Sequence, residues 1–193
     1  NYEDTPADCS ACHNGQIAAV LDIDGFHTVE DVSENNPGVL TGQRKIDYVL
    51  TSADVEGANL VIEFQVLSDG TGIDLTALPT DLATPNRWPS FLFAYAMAQD
   101  GITSPADFNN LGNSAAQPSS QSLEGLADGS DGTLACVDGV CTATLVNPFP
   151  AGSTLQTVGL QGYFQQDISG DTVSLHAKSP LVTVTGQKAR RSI

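Results

Sequence analysis

Basic side chains are the scarcest feature of this 193-residue chain: seven Lys and Arg stand against 23 Asp and Glu, for a formal net charge of −16. A surface of that sign repels phosphate backbones and anionic lipids, so neither nucleic acid nor a membrane surface is expected as a partner. Two readings of the acidity remain: solubility outside the cell, and steering of basic or metal-bearing partners. Long apolar runs are missing as well. No stretch approaches the roughly 20 apolar residues of a spanning helix, so direct membrane insertion is not expected. The chain also lacks Gly-x-Ser-x-Gly, a phosphate-cradling glycine loop and His-Glu-x-x-His, and with them the familiar signatures of hydrolase, nucleotide and zinc-peptidase chemistry. It opens at Asn1 with no Met, basic n-region or apolar h-region, and we read any signal peptide as already removed or left out.

What is present suits an all-β protein. The length allows one well-packed domain with a short appendage. Hydrophobic residues make up 40%, and 18 glycines and 10 prolines punctuate them often enough for many short strands joined by turns. Residues 1–42 lack sustained periodicity beyond a short helical stretch at Gln16–Leu21, and are read as an irregular arm ordered by a cofactor. From Lys45 the pattern becomes strand-like. Ile46, Tyr48 and Leu50 alternate with polar neighbours, as do Leu60, Ile62, Phe64 and Val66, which is the period of half-buried strands. In Ser90–Ala98 both rows are apolar, one bulky (Phe91, Phe93, Tyr95, Met97) and one small, which predicts a central strand packed on both sides.

Residues 99–132 are rich in Gly, Asn, Ser, Pro and Asp. They are read as one long loop with at most a helical turn near Phe108, a length usually reserved for functional or mobile segments. A hairpin follows, Leu134–Val137 and Val140–Val146, with Asp138-Gly139 suited to a type I′ turn. Leu155–Phe164, Thr172–Ala177 and Leu181–Thr185 complete about seven antiparallel strands of a barrel or sandwich. The expected organisation is an arm over 1–42, a β-barrel domain over 43–187 and a basic connector over 188–193, where Lys188, Arg190 and Arg191 gather.

The four cysteines form two pairs of different design. Cys136 and Cys141 flank the hairpin turn and are read as a structural disulfide, with a redox role as the lesser reading. Cys9 and Cys12 are separated by two residues and are followed at once by His13. Cys-x-x-Cys-His is the attachment signature of a c-type haem. Two thiols three positions apart can form thioethers to the two vinyl groups on one porphyrin edge, and the next residue offers its imidazole to the iron. A zinc site would need two more Cys or His ligands, and only His27 is near. A thioredoxin-like pair belongs beside a βαβ pattern, which is absent. A plain disulfide across two residues is awkward and leaves His13 without a role. Both pairs point to an oxidising compartment.

For the sixth iron ligand the candidates are His27, His176 and Met97. Met97 falls in the bulky row of a predicted strand and is better explained by packing. His176 shares a polar face with Thr172 and Ser174, where an exposed histidine is the ordinary outcome. His27 follows Phe26 in the haem-bearing arm and is favoured. Two imidazole ligands leave iron no open position, which points to electron transfer rather than to a catalyst with an open substrate site. Asp69, Asp74 and Asp167–Asp171 do not match calcium-loop spacing and are read as solvated turn residues.

A haem motif combined with Ile46–Leu50, Leu60–Val66, Phe91–Met97, Asp131-Gly132-Thr133, Leu181–Val184 and the ending Gly186-Gln187-Lys188-Ala189-Arg190-Arg191-Ser192-Ile193 resembles the outer-surface multihaem c-type cytochromes of the OmcA/MtrC type. The resemblance covers most of the chain from Lys45 onward. It implies a split-barrel Greek-key β-domain next to haem-bearing segments, and a cell-surface location outside the outer membrane, with the periplasm as the other compartment. The partners implied are other haem domains, redox proteins, a flavin or a metal oxide. Members carry many haems and this chain one attachment motif, so it reads as the N-terminal part of a longer chain, with a haem region expected after Ile193. Two other functions stay open: a β-domain that binds or assembles with the haem as a structural passenger, and a self-contained monohaem periplasmic cytochrome.

Overall fold

In the computed structural model the described residues are 40–190. The chain divides into two units, residues 1–43 and 44–193, and every element below belongs to the second. Eleven strands, one short α-helix and two 3-10 turns (Leu75–Ala77 and Ser114–Ala116) make up the described fold, and all strand pairs are antiparallel. The first sheet runs β1 (Ile46–Glu56), β2 (Asn59–Ser68), β7 (Val140–Val146), β6 (Thr133–Val137), with the two-residue β3 (Thr71–Gly72) paired on β2. The second runs β11 (Leu181–Thr183), β8 (Thr154–Gln161), β4 (Ser90–Ala96), β5 (Ser119–Ser122). A ribbon of β9 (Tyr163–Ile168) and β10 (Asp171–His176) stands beside them.

Alternation puts one face of each sheet inside. β2 buries Leu60, Ile62, Phe64 and Val66, all with no exposed surface, and β4 buries Phe91, Phe93 and Tyr95. Phe64 of the first sheet meets Phe91 of the second edge to face at 5.0 Å, so aromatic packing joins the layers at their centre. Phe93 and Tyr95 both abut Phe149, at 5.9 and 6.4 Å. At one seam Thr185 N donates to Ala53 O (2.9 Å), linking the chain just after β11 to β1. At the other, α1 (Leu123–Ala127) packs against both β5 and β6. The domain is thus an all-β, antiparallel split barrel.

Several expectations need correction. Eleven strands stand where about seven were expected. The span 99–132 is not one loop: it holds a 3-10 turn at Ser114–Ala116, β5 and α1, and no helical turn forms at Phe108. Leu155–Phe164 is two strands, because Gly162 takes φ +123° with its Cα side against Pro89, a conformation closed to other residues. β4 stops at Ala96, and on its small-residue face Ala96 is buried while Leu92 and Ala94 are only partly buried, so that face is less closely packed than the bulky one. In β1 the register shifts between Leu50 and Ser52, and this bulge moves the buried parity from Ile46 and Tyr48 to Ala53.

Candidate functional site

Cys9, Cys12, His13 and His27 lie outside the described residues. The other sequence-derived candidates can be placed. His176 is exposed on β10, its ring against Tyr163 of β9 at 4.9 Å, where the two residues are cross-strand partners. Met97 is half-buried against the core, and Asn109 bonds its backbone on both sides, accepting from Met97 N (2.9 Å) and donating to Met97 O (2.8 Å). Packing accounts for it. The turn aspartates are occupied with local bonds: Asp69 accepts from Lys45 N (2.9 Å), Asp74 from Thr76 N and Oγ1 (2.8 and 2.7 Å), and Asp167 from Thr172 Oγ1 (2.9 Å). The Thr76 contacts hold the Asp74 carboxyl below its ordinary range. No group of three or more His, Cys, Asp or Glu with metal-binding geometry occurs among the described residues.

Cys136 and Cys141 form the expected disulfide, across directly paired positions of β6 and β7. The turn between them has Asp138 at φ 51° and Gly139 at φ 77°, the two positive values a type I′ turn requires.

A feature that sequence reasoning missed lies at Arg44, just ahead of β1. Arg44 forks onto Asp81, Nε to Oδ2 at 2.7 Å and Nη2 to Oδ1 at 3.2 Å, and its Nη1 reaches Ser68 Oγ at 3.2 Å. Arg44 N donates to Gln166 Oε1 (2.9 Å), and Gln166 Nε2 donates back to Asp81 Oδ2 (3.0 Å). The guanidinium holds the Asp81 carboxyl below its ordinary range, and the carboxylate raises Arg44. Gln166 is 3% exposed, so this network is anchored in the interior. At the far end of the chain Arg190 forms a second forked pair with Asp107 (2.8 and 3.0 Å), with its guanidinium 5.8 Å from the centre of the Phe108 ring. The loop Gln99–Asn109 beside it frames an open groove of about 540 Å³.

No protein-family model and no curated protein matches the chain. Among solved structures it is similar to the outer membrane decaheme cytochrome OmcA, at 13% identity and a TM-score of 0.34, over 74% of this chain and 21% of that one. This chain thus spans about a fifth of the length of that cytochrome.

Proposed function

We propose that the chain carries one covalently attached haem c and moves electrons outside the cytoplasm. The observation that carries this reading is the run Cys9-Ser10-Ala11-Cys12-His13. Cys9 and Cys12 would hold the porphyrin through thioethers, and His13 would supply one imidazole to the iron. His27 would supply the other. The bound haem contributes a one-electron couple. With His13 and His27 both on the iron, these residues would hold and orient it and would leave no place for a substrate, so the role would be relay rather than catalysis. The Cys136–Cys141 bridge supports an oxidising compartment, hence the cell surface or periplasm. On this reading the chain is the N-terminal part of a multihaem cytochrome of extracellular respiration. Its partners are other haem domains or redox proteins, and a flavin or metal oxide.

Intact mass against sequence mass, with a reduced-minus-oxidised spectrum, tests the attachment. One haem per chain and a c-type band are expected, and an unmodified mass would refute it. Replacing His27 by Ala should convert a low-spin spectrum to high-spin; an unchanged spectrum removes His27 from the iron.

A second reading makes the β-domain the binding element and the haem a structural passenger. The groove beside Gln99–Asn109 favours it. Potentiometry separates the two: reversible cycling with rapid exchange to flavin or ferric iron supports the relay, and a haem reducible only on unfolding supports the passenger.

A further inference from the structure

We propose that the open groove framed by Gln99–Asn109 is a docking site for an arginine-bearing basic peptide segment of a partner protein, and that Arg190 of this chain fills its arginine corner until that segment displaces it. The proposal rests on the β-domain acting as a binding element, as in the second reading above, and holds whichever role the haem has.

The frame of the groove is held at both ends. At one end Gln99 N donates to Ile102 O (3.1 Å) and Ile102 N to Gln99 O (2.8 Å), closing a turn with Asp100 at φ 51° and Gly101 at φ 80°. At the other, Asn109 is bonded to the backbone of Met97 on both sides. Between them Ile102 is 59% exposed and, with Pro105, Ala106 and Phe108, makes the lining apolar. A lone exposed Ile needs no explanation, but one set in a concave apolar surface points to a ligand. Two carboxylates share this lining. Arg190 engages Asp107, whereas the Asp100 side chain has no hydrogen-bonding or ionic partner among the described residues. An apolar lining with two carboxylates selects a ligand that is cationic and partly apolar. A groove open along its length suits an extended segment.

Arg190 shows which cation fits. It meets Asp107 through Nε at 2.8 Å and Nη2 at 3.0 Å, with its guanidinium 5.8 Å from the centre of the Phe108 ring. Fork and ring together suit a planar guanidinium better than an ammonium. The contact is poorly shielded, with side chains 52% and 58% exposed. An ion pair so open to water is weak and exchanges readily. The other forked pair, Arg44 with Asp81, is 30% and 31% exposed and shares the buried Gln166, so it is built to stay closed. A weak resident contact lowers the affinity of an incoming arginine only by the fraction of time the corner is filled. The net charge of −16 draws basic segments towards the surface and repels a second copy of the chain.

The test titrates the isotope-labelled full chain with acetyl-Arg-Ala-Arg-amide, reading amide shifts by NMR and affinity by calorimetry. We expect saturable shifts confined to residues 99–109, and weaker binding of acetyl-Lys-Ala-Lys-amide. Arg190→Ala should tighten binding by about two- to fivefold, the occupancy an exposed ion pair sustains. Lys188→Ala removes the same charge from the same segment without touching the fork, and should leave the affinity unchanged. Asp107→Asn and Asp100→Asn should each weaken binding severalfold with unchanged far-UV circular dichroism; Asn tolerates the positive φ at position 100. Shifts spread over the whole acidic surface, equal tightening by Arg190→Ala and Lys188→Ala, or indifference to both Asp variants overturn the proposal. Dimerisation that Arg190→Ala abolishes overturns it too, by making a second copy's tail the occupant. Shifts at 99–109 with acetyl-Glu-Ala-Glu-amide alone would keep the groove as a binding element and overturn its assigned partner, while no shifts with any peptide would remove both. None of these results bears on the haem, which mass, spectrum and potentiometry decide.

Discussion

Opening the Cys136–Cys141 bridge is the perturbation whose size can be worked furthest. The cysteines are five apart in sequence, so the bridge closes a loop of six residues. Chain-entropy bookkeeping for a loop that short gives about 2 kcal/mol. The bridge also brings packing, because Cys141 is fully buried in the core while Cys136 is half-exposed. Reduction of the native protein removes only the cross-link. Cys136→Ala with Cys141→Ala removes the cross-link and one buried sulfur, for about 1 kcal/mol more. With a urea slope of about 2 kcal/mol/M for a domain of this size, reduction should lower the midpoint by about 1 M and the double variant by about 1.5 M. Far-UV circular dichroism reads unfolding without interference from the iron. The effect concentrates on β6, which has a single strand neighbour, β7. An unchanged midpoint on reduction would refute the loop-closure account and leave the hairpin to its turn and register alone. A loss above about 4 kcal/mol would refute it in the other direction, since unlinking six residues cannot release that much.

Three further outcomes follow from the packing and charge. Phe64→Ala, which removes a fully buried ring that bridges the sheets, should cost about 3–5 kcal/mol in urea unfolding. Gly72→Ala would place a Cβ 2.7 Å from Gly139 O and 2.8 Å from Gly139 Cα, both backbone atoms of the hairpin tip, so a loss of about 1–3 kcal/mol is expected by the same assay. Asp81 has its carboxyl lowered by Arg44, so its contribution is fully present above the ordinary carboxylate range and is lost as pH falls through the depressed folded value. The stability difference between the native chain and Asp81→Asn should therefore shrink steadily below about pH 4, and a difference constant from pH 7 to pH 2 would contradict the ion pair.

Legibility tracked how locally each feature was encoded. The alternation of Leu60, Ile62, Phe64 and Val66 put β2 on the page because each apolar residue reports its own burial. The β6–β7 hairpin was legible from Asp138-Gly139 for the same reason. β5 was not: Ser119-Ser120-Gln121-Ser122 has no apolar row, and it is a strand because β4 offers it a partner along Ser90–Phe93. α1 is five residues, too short to show a period, and its cap, Ser122 Oγ accepting from Glu124 N at 3.1 Å, emerges only in the folded structure. The break at Gly162 depends on Pro89, far along the chain, which a period-counting reading cannot weigh.

The same division separates the haem motif from the ring around Arg44. The proposed haem attachment is written in five consecutive residues, and its chemistry asks nothing of the β-domain. The ring around Arg44 joins residues 37 and 122 positions apart, so no local pattern announces it and it exists only when the barrel is folded. On the proposed reading the two therefore part company under denaturant. A thioether-bound haem stays with the chain through unfolding, while the bonds joining Arg44, Asp81 and Gln166 are lost at the barrel's own urea midpoint. Haem released from the chain in urea would refute the covalent attachment, and an Arg44→Ala variant with an unchanged urea midpoint would show that the ring adds nothing to the fold.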